Sequence, residues 1–137
     1  MNETKVFFAH SKKDYDTEYS LMGIISIMNE YNMNVCFNGI NPSILKISKK
    51  YQKKIDATDI SYVKFMLEME FYFEYIKQCD VLVALPYSKT GKFTNGVKKA
   101  IEFAQRNNIK AYKLTIGQDH DDFYEILDNY SKSESVL

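Results

Sequence analysis

Few residues in this chain are placed to do chemistry on a small molecule. His10 and Ser11 directly follow the apolar run from Lys5 to Ala9, KVFFA. A strand that ends in a small residue lets a ligand approach the backbone, and His10 there can reach a phosphate or a sugar. The plain alternative is a solvated loop. Thr94-Asn95-Gly96 open a helix just after a second strand-end loop. The first N–H groups of a helix are unpaired and its dipole favours an anion, so a sugar or phosphate site stands there beside an ordinary N-cap. Asp80 begins the most apolar run of the chain, and either helps order a site or simply starts a strand.

Other chemistries lack their signatures. No GxGxxG follows the first strand and no GxxxxGK[ST] occurs, so neither a dinucleotide fingerprint nor a P-loop is present. His10 and His120 are the only histidines, and no Cys/His spacing fits zinc; no metal and no cofactor is expected. Ser11 and Ser88 lie outside any GxSxG elbow.

Alternating strands and helices must position these groups. The predicted strands are Lys5 to Ala9, Asn34 to Phe37, Asp80 to Leu85 (DVLVAL) and Ile109 to Ile116. A helix is predicted from Thr17 to Tyr31, with Leu21, Ile24, Ile25 and Met28 at i, i+3, i+4 and i+7 as its inner face. Another runs from about Thr58 to Cys79. Tyr62, Phe65, Met66, Met69, Phe73 and Ile76 form one apolar stripe on it, and Val63, Leu67, Phe71 and Tyr75 a second. A helix apolar on two faces is buried between layers or covered by a partner, so a homodimer or higher homo-oligomer through this helix is expected. Helices are also predicted over Thr94 to Asn107 and Asp119 to Tyr130, while residues 43–57 have no clear period.

This order implies one α/β domain over residues 1–137: a flavodoxin- or Rossmann-like parallel sheet of four to five strands with flanking helices. Ligands of such sheets bind beyond the carboxyl ends of the strands, which selects Ala9 to Asp16, Asn38 to Ser43 and Pro86 to Gly96. The composition agrees with a folded domain. Of 137 residues 45% are hydrophobic, and 18 Lys plus Arg balance 18 Asp plus Glu. A neutral chain carries no electrostatic footprint for duplex nucleic acid or an anionic membrane. No apolar run reaches membrane-spanning length, and no signal peptide opens the chain. With Cys36 and Cys79 expected as reduced thiols, a cytoplasmic location is expected too.

Several segments, taken in order, resemble the nucleoside 2-deoxyribosyltransferase superfamily and its nucleotide N-glycosidase relatives. Val6-Phe7-Phe8-Ala9-His10 looks like their first strand and substrate loop. Tyr15 and Thr17 stand where relatives carry Tyr-x-Thr, and Asn41-Pro42 looks like their Asn-Pro after the second strand. Ile76 to Val83 (IKQCDVLV) is similar to their "I..CD.LV" strand. Thr94 to Ala104 (TNGVKKAIEFA) resembles their helix of a Gly, then a Glu, then an Ala. The resemblance covers about residues 5 to 116. It implies a nucleoside or nucleotide substrate contacting Phe7, Phe8, Ala9, His10, Ser11, Tyr15, Asn41, Pro86, Thr94, Asn95 and Gly96. Asp80 would act mainly in ordering the site.

One position departs from that pattern. The family's helix Glu, which attacks or stabilises the anomeric carbon as the base leaves, corresponds here to Ala100. Glu102 is no simple substitute, because two residues on a helix lie about 200° apart. A carboxylate can form a glycosyl intermediate or stabilise the sugar cation, and alanine can do neither. Two explanations stay open: an engineered Glu-to-Ala exchange that traps a ligand, favoured by the otherwise intact helix, or a natural binder that has lost catalysis. Val6 to Asp14 also resembles the opening of TIR domains, whose enzymatic members cleave the glycosidic bond of NAD. Both resemblances imply an N-glycosidic bond in a nucleoside, nucleotide or NAD-related molecule.

Overall fold

The computed structural model describes residues 4–14, 17–38 and 48–130. Its five strands are β1 (Lys5–Ala9), β2 (Asn34–Asn38), β3 (Val81–Ala84), β4 (Lys110–Thr115) and β5 (Asp122–Glu125). They form one sheet in the order β2-β1-β3-β4-β5. The first four pair in parallel and β5 is antiparallel to β4. This is the flavodoxin-like order, in which the chain reverses its direction of winding between β1 and β3.

Side chains alternate across the sheet and so build two cores. On one face Phe7, Ala9, Leu82, Ala84 and Ala111 meet helices α3 (Ser61–Ile76) and α4 (Asn95–Arg106). On the other, Val6, Phe8, Val83, Leu85 and Leu114 meet Ile27, which lies just beyond α1 (Glu18–Ile25). β1 and β3 are buried on both faces, as their unbroken apolar runs predict.

Three elements differ from the sequence expectation. The first is α1. Thr17 caps it, its hydroxyl accepting from Ser20 N at 3.3 Å. Yet the supposed inner residues Leu21, Ile25 and Met28 are 45–56% exposed, and Ser20, Gly23 and Ile27 are buried instead. The Phe8 ring lies so close to Gly23 that a Cβ there would stand 2.7 Å from its Cζ. The helix can approach the sheet only over its smallest residue. Residues Ser26–Glu30 then continue as one wider π-helical turn, which rotates Ile27 and its neighbours out of phase with α1.

The second is the lysine-rich segment, which holds helix α2 (Lys49–Asp56), capped by Ser48. α2 packs on α3: Tyr51 meets Phe71 edge-on at 5.6 Å and its hydroxyl donates to Glu74 Oε1 at 3.1 Å. α3 starts later than expected, at Ser61. Its two apolar stripes are largely covered from within this chain. Phe71 is buried, Phe73 stacks on Phe103 at 4.1 Å, and Tyr75 leans on Phe37 at 4.9 Å. Ile60, Tyr62 and Val63 stay exposed at its first turn.

The third is a correction. The expected helix from Asp119 to Tyr130 is instead the edge strand β5 and its flanks. Phe123, Ile126 and Leu127 have helical spacing, but β4 presents an open edge that backbone pairing satisfies better. Phe123 stacks between Tyr31 and Tyr112, at 4.1 and 5.0 Å. Gln105 fastens the segment after β5, donating to Asp128 O at 2.8 Å and accepting from Tyr130 N at 2.9 Å. Among the described residues no helix is long and apolar enough to cross a membrane.

Candidate functional site

The carboxyl end of β1, the inner side of α3 and the first two turns of α4 enclose a cavity of about 410 Å³. It opens at the β1/β3 switch point, where sheets of this order place their ligands. The volume lies within the range of about 300–1,000 Å³ usual for small-molecule sites.

The cavity gathers most of the predicted site. Phe7, Phe8 and Ala9 line it from β1, His10 and Ser11 from the loop after it, and Thr94, Asn95 and Gly96 from the start of α4. Thr94 holds the N-cap position with extended backbone, and its side chain makes no capping bond. The first-turn N–H groups of α4 are therefore not served by the cap. His10 is buried; its ring lies 4.9 Å from that of Phe8, and its Nδ1 is 3.2 Å from the Ser11 carbonyl oxygen. Ala100, on the next turn of α4, is 3% exposed and forms part of the wall. Glu102 points elsewhere, as the 200° rotation requires: Arg106 holds its Oε1 at 2.7 Å and Lys99 lies 3.6 Å from its Oε2.

Two predicted members lie outside the cavity. Asp80 sits at the opposite, amino-terminal end of β3. Its Oδ2 accepts from Lys5 N at 2.8 Å and its N donates to Lys5 O at 2.9 Å, so it fastens the start of β1 to β3. Its motif marks a strand start rather than a reaction centre. Pro86 does not line the cavity either; its carbonyl accepts from the Tyr19 hydroxyl at 2.9 Å. Tyr15 and Asn41 fall outside the described residues.

Sequence reasoning missed the wall that α3 supplies to the cavity. Phe65, Glu68, Met69 and Tyr72 are spaced i, i+3, i+4 and i+7, and face the cavity together. Phe65, Met69 and Tyr72 make a largely apolar side, and Glu68 is the single carboxylate among the described lining residues. Its Oε2 pairs with Lys12 Nζ at 2.5 Å, joining α3 to the loop after β1. The legible signal was a charge interrupting an apolar stripe.

A second missed feature braces the rim. Asp14 is 2% exposed, and its carboxylate accepts from Ser88 N at 3.0 Å and Ser88 Oγ at 2.6 Å. This latch ties the β1 loop to the loop after β3. Burial, with the Asp14 charge beside it, pushes the Tyr19 hydroxyl up to about 12. Lys12 and Lys13 line the cavity as well.

No protein-family model matches the chain, and neither a similar curated protein nor a similar solved structure was found.

Proposed function

We propose that this chain binds a nucleoside or nucleotide in the β1–α4 cavity, in the architecture of an N-glycosidase whose attacking carboxylate is missing. The observation that carries this reading is the position of Ala100. The residue that replaces the resembled family's Glu forms the wall of a cavity of ligand size, one turn beyond the α4 N-terminus. Phe65 and Tyr72 offer ring faces for a base, and polar groups converge from His10, Ser11 and Asn95. Lys12 and Lys13 at the rim favour a phosphate.

Chemistry at the anomeric carbon needs negative charge where the sugar becomes cationic. A methyl group at 100 supplies none, so the chain as it stands holds its ligand without rapid cleavage. Losing such a group costs rate and need not cost ground-state affinity, because it acts mainly in the transition state.

The first test is thermal shift across nucleosides, nucleoside monophosphates, NAD and cyclic ADP-ribose-like compounds. A ligand at a hundredfold its Kd should stabilise by about 2.7 kcal/mol. A flat response to the whole panel would remove the nucleotide reading. The second is Ala100→Glu, with base release followed by chromatography. The variant should release base from a compound that binds; no release would leave a binding module. Fast release with Ala100 in place would move the catalytic group to another residue.

A further inference from the structure

We propose that Glu68 is the sugar-binding carboxylate of this cavity, accepting hydrogen bonds from the 2′- and 3′-hydroxyls of a ribose, so that the ligand is a ribonucleoside or ribonucleotide. The inference rests on the nucleotide reading above and names its sugar.

The cavity is mostly apolar along α3 and α4, and Glu68 is the one carboxylate among the described residues that line it. It projects from the middle of α3, flanked by Phe65 and Met69 and one turn before Tyr72. A charge in that setting is costly unless partnered. Lys12 satisfies one oxygen, Oε2, at 2.5 Å, and Oε1 receives no hydrogen bond from the described residues. The ion pair holds the side chain and leaves one acceptor-only oxygen on a residue that lines the cavity. Hydroxyls supply the donors such a group takes, and a vicinal diol supplies two at once. Bases give at most isolated N–H donors, and a phosphate would be repelled. Phosphate is matched instead by Lys12 and Lys13 at the rim. The arrangement thus orders a ligand: ring against Phe65 and Tyr72, sugar hydroxyls on Glu68, charged end toward the lysines. Glu68 lies on a different helix from Ala100, so holding the sugar and attacking it are separable.

The test compares the ribo, 2′-deoxy and 2′,3′-dideoxy forms of adenosine, guanosine, cytidine and uridine, and of their 5′-monophosphates, by calorimetry. Three proteins are used: the unmodified chain, Glu68→Ala and Lys12→Ala. Both variants break the same ion pair at partly exposed positions, so any disturbance of the loop is common to them. The unmodified chain should bind the ribo form of its preferred base roughly tenfold or more tighter than the dideoxy form, as hydrogen bonds to a charged group imply. Lys12→Ala should retain a preference for the ribo form, reduced because Glu68 loses the partner that orients it, and Glu68→Ala should abolish it. A ratio near one in the unmodified chain, or a ratio that survives Glu68→Ala, overturns the assignment while leaving the nucleoside reading in place. No binding of any nucleoside or nucleotide, in any of the three sugar forms, overturns both.

Discussion

A methyl group on Gly96 would stand 3.8 Å from Met69 Sδ and 3.9 Å from the Phe65 ring, in ordinary contact and inside the cavity. The folded protein can therefore accept Gly96→Ala. Alanine is a better helix former than glycine by up to about 1 kcal/mol, so the variant should melt slightly higher. On the proposed reading it should also bind a nucleotide more weakly, because the methyl narrows the space between α3 and the start of α4. Paired melting and calorimetry would check this, and unchanged affinity would show that the ligand does not pass over Gly96. At this scale the sequence was legible wherever a residue type carries one meaning. His10, Ser11 and Thr94 to Gly96 are selected by the rule about strand ends, and they do meet in one cavity. Ala100 stood out only against a resemblance, since alanine on an inner helix face is otherwise unremarkable core. Glu68 was hidden by its company, because a long aromatic helix reads as an interface before it reads as a wall. Asp80 misled for the converse reason: a carboxylate next to a strong strand also serves backbone pairing.

Among the elements, α1 shows how periodicity can report a real stripe and the wrong face. Leu21, Ile24, Ile25 and Met28 have helical spacing, yet only Ile24 of them packs against the sheet core, beside the buried Ser20, Gly23 and Ile27. The deciding fact is tertiary: the buried Phe8 ring fills the space that any side chain at position 23 would need. Gly23→Val should therefore destabilise the fold. Forcing carbon into a packed site costs typically about 1–3 kcal/mol, and the gain in helix propensity over glycine recovers only a fraction of it. Chemical denaturation should show a lower midpoint with an unchanged slope. A midpoint equal to that of the parent would mean that α1 can slide on the sheet. α2 and β5 escaped the sequence reading for related reasons. α2 is a short, lysine-rich helix whose single buried apolar residue is Ile55, so its pattern is weak until α3 lies beneath it. β5 exists because β4 needs a partner, and no local pattern expresses that need.

At the scale of the whole molecule, the α/β order and the switch-point cavity could be read from the sequence, because continuous apolar runs and strand-helix alternation leave few topologies. The closing of the sheet and the latches between loops could not, since they join residues far apart in the chain: Asp14 with Ser88, Gln105 with Asp128, Lys12 with Glu68. The chain has no net charge at neutral pH, so its response to pH rests on individual buried groups. Five side chains, Tyr19, Tyr31, Tyr51, Cys79 and Tyr130, are pushed up, and Cys79 and Tyr19 are pushed furthest. Burial, and after it the nearby Cys36 and Asp80, pushes the Cys79 thiol up to about 12, while its Sγ donates to Tyr75 O at 3.5 Å. Burial and then Asp14 push Tyr19 up to about 12 as well, where its hydroxyl donates to Pro86 O. Both groups ionise earlier in the unfolded chain, near 9 and 10. The folded state therefore binds more protons than the unfolded state between about pH 9 and 12, and stability falls as pH rises through that window. Below it their contribution is complete, so stability between about pH 7 and 8.5 should not change on their account. Tyr19→Phe separates the two groups. It loses the bond to Pro86 O, which lowers stability by about 1 kcal/mol at pH 8. It also removes one of the two most strongly shifted ionisations, so its stability should decline less steeply than the parent's from about pH 10 to 12, and the two curves should converge. Urea unfolding at about pH 8, 10 and 11 measures both effects. Parallel curves for parent and variant would show that Tyr19 ionises as freely in the folded protein as in water, and that the loop junction around Asp14, Tyr19 and Pro86 is open to solvent.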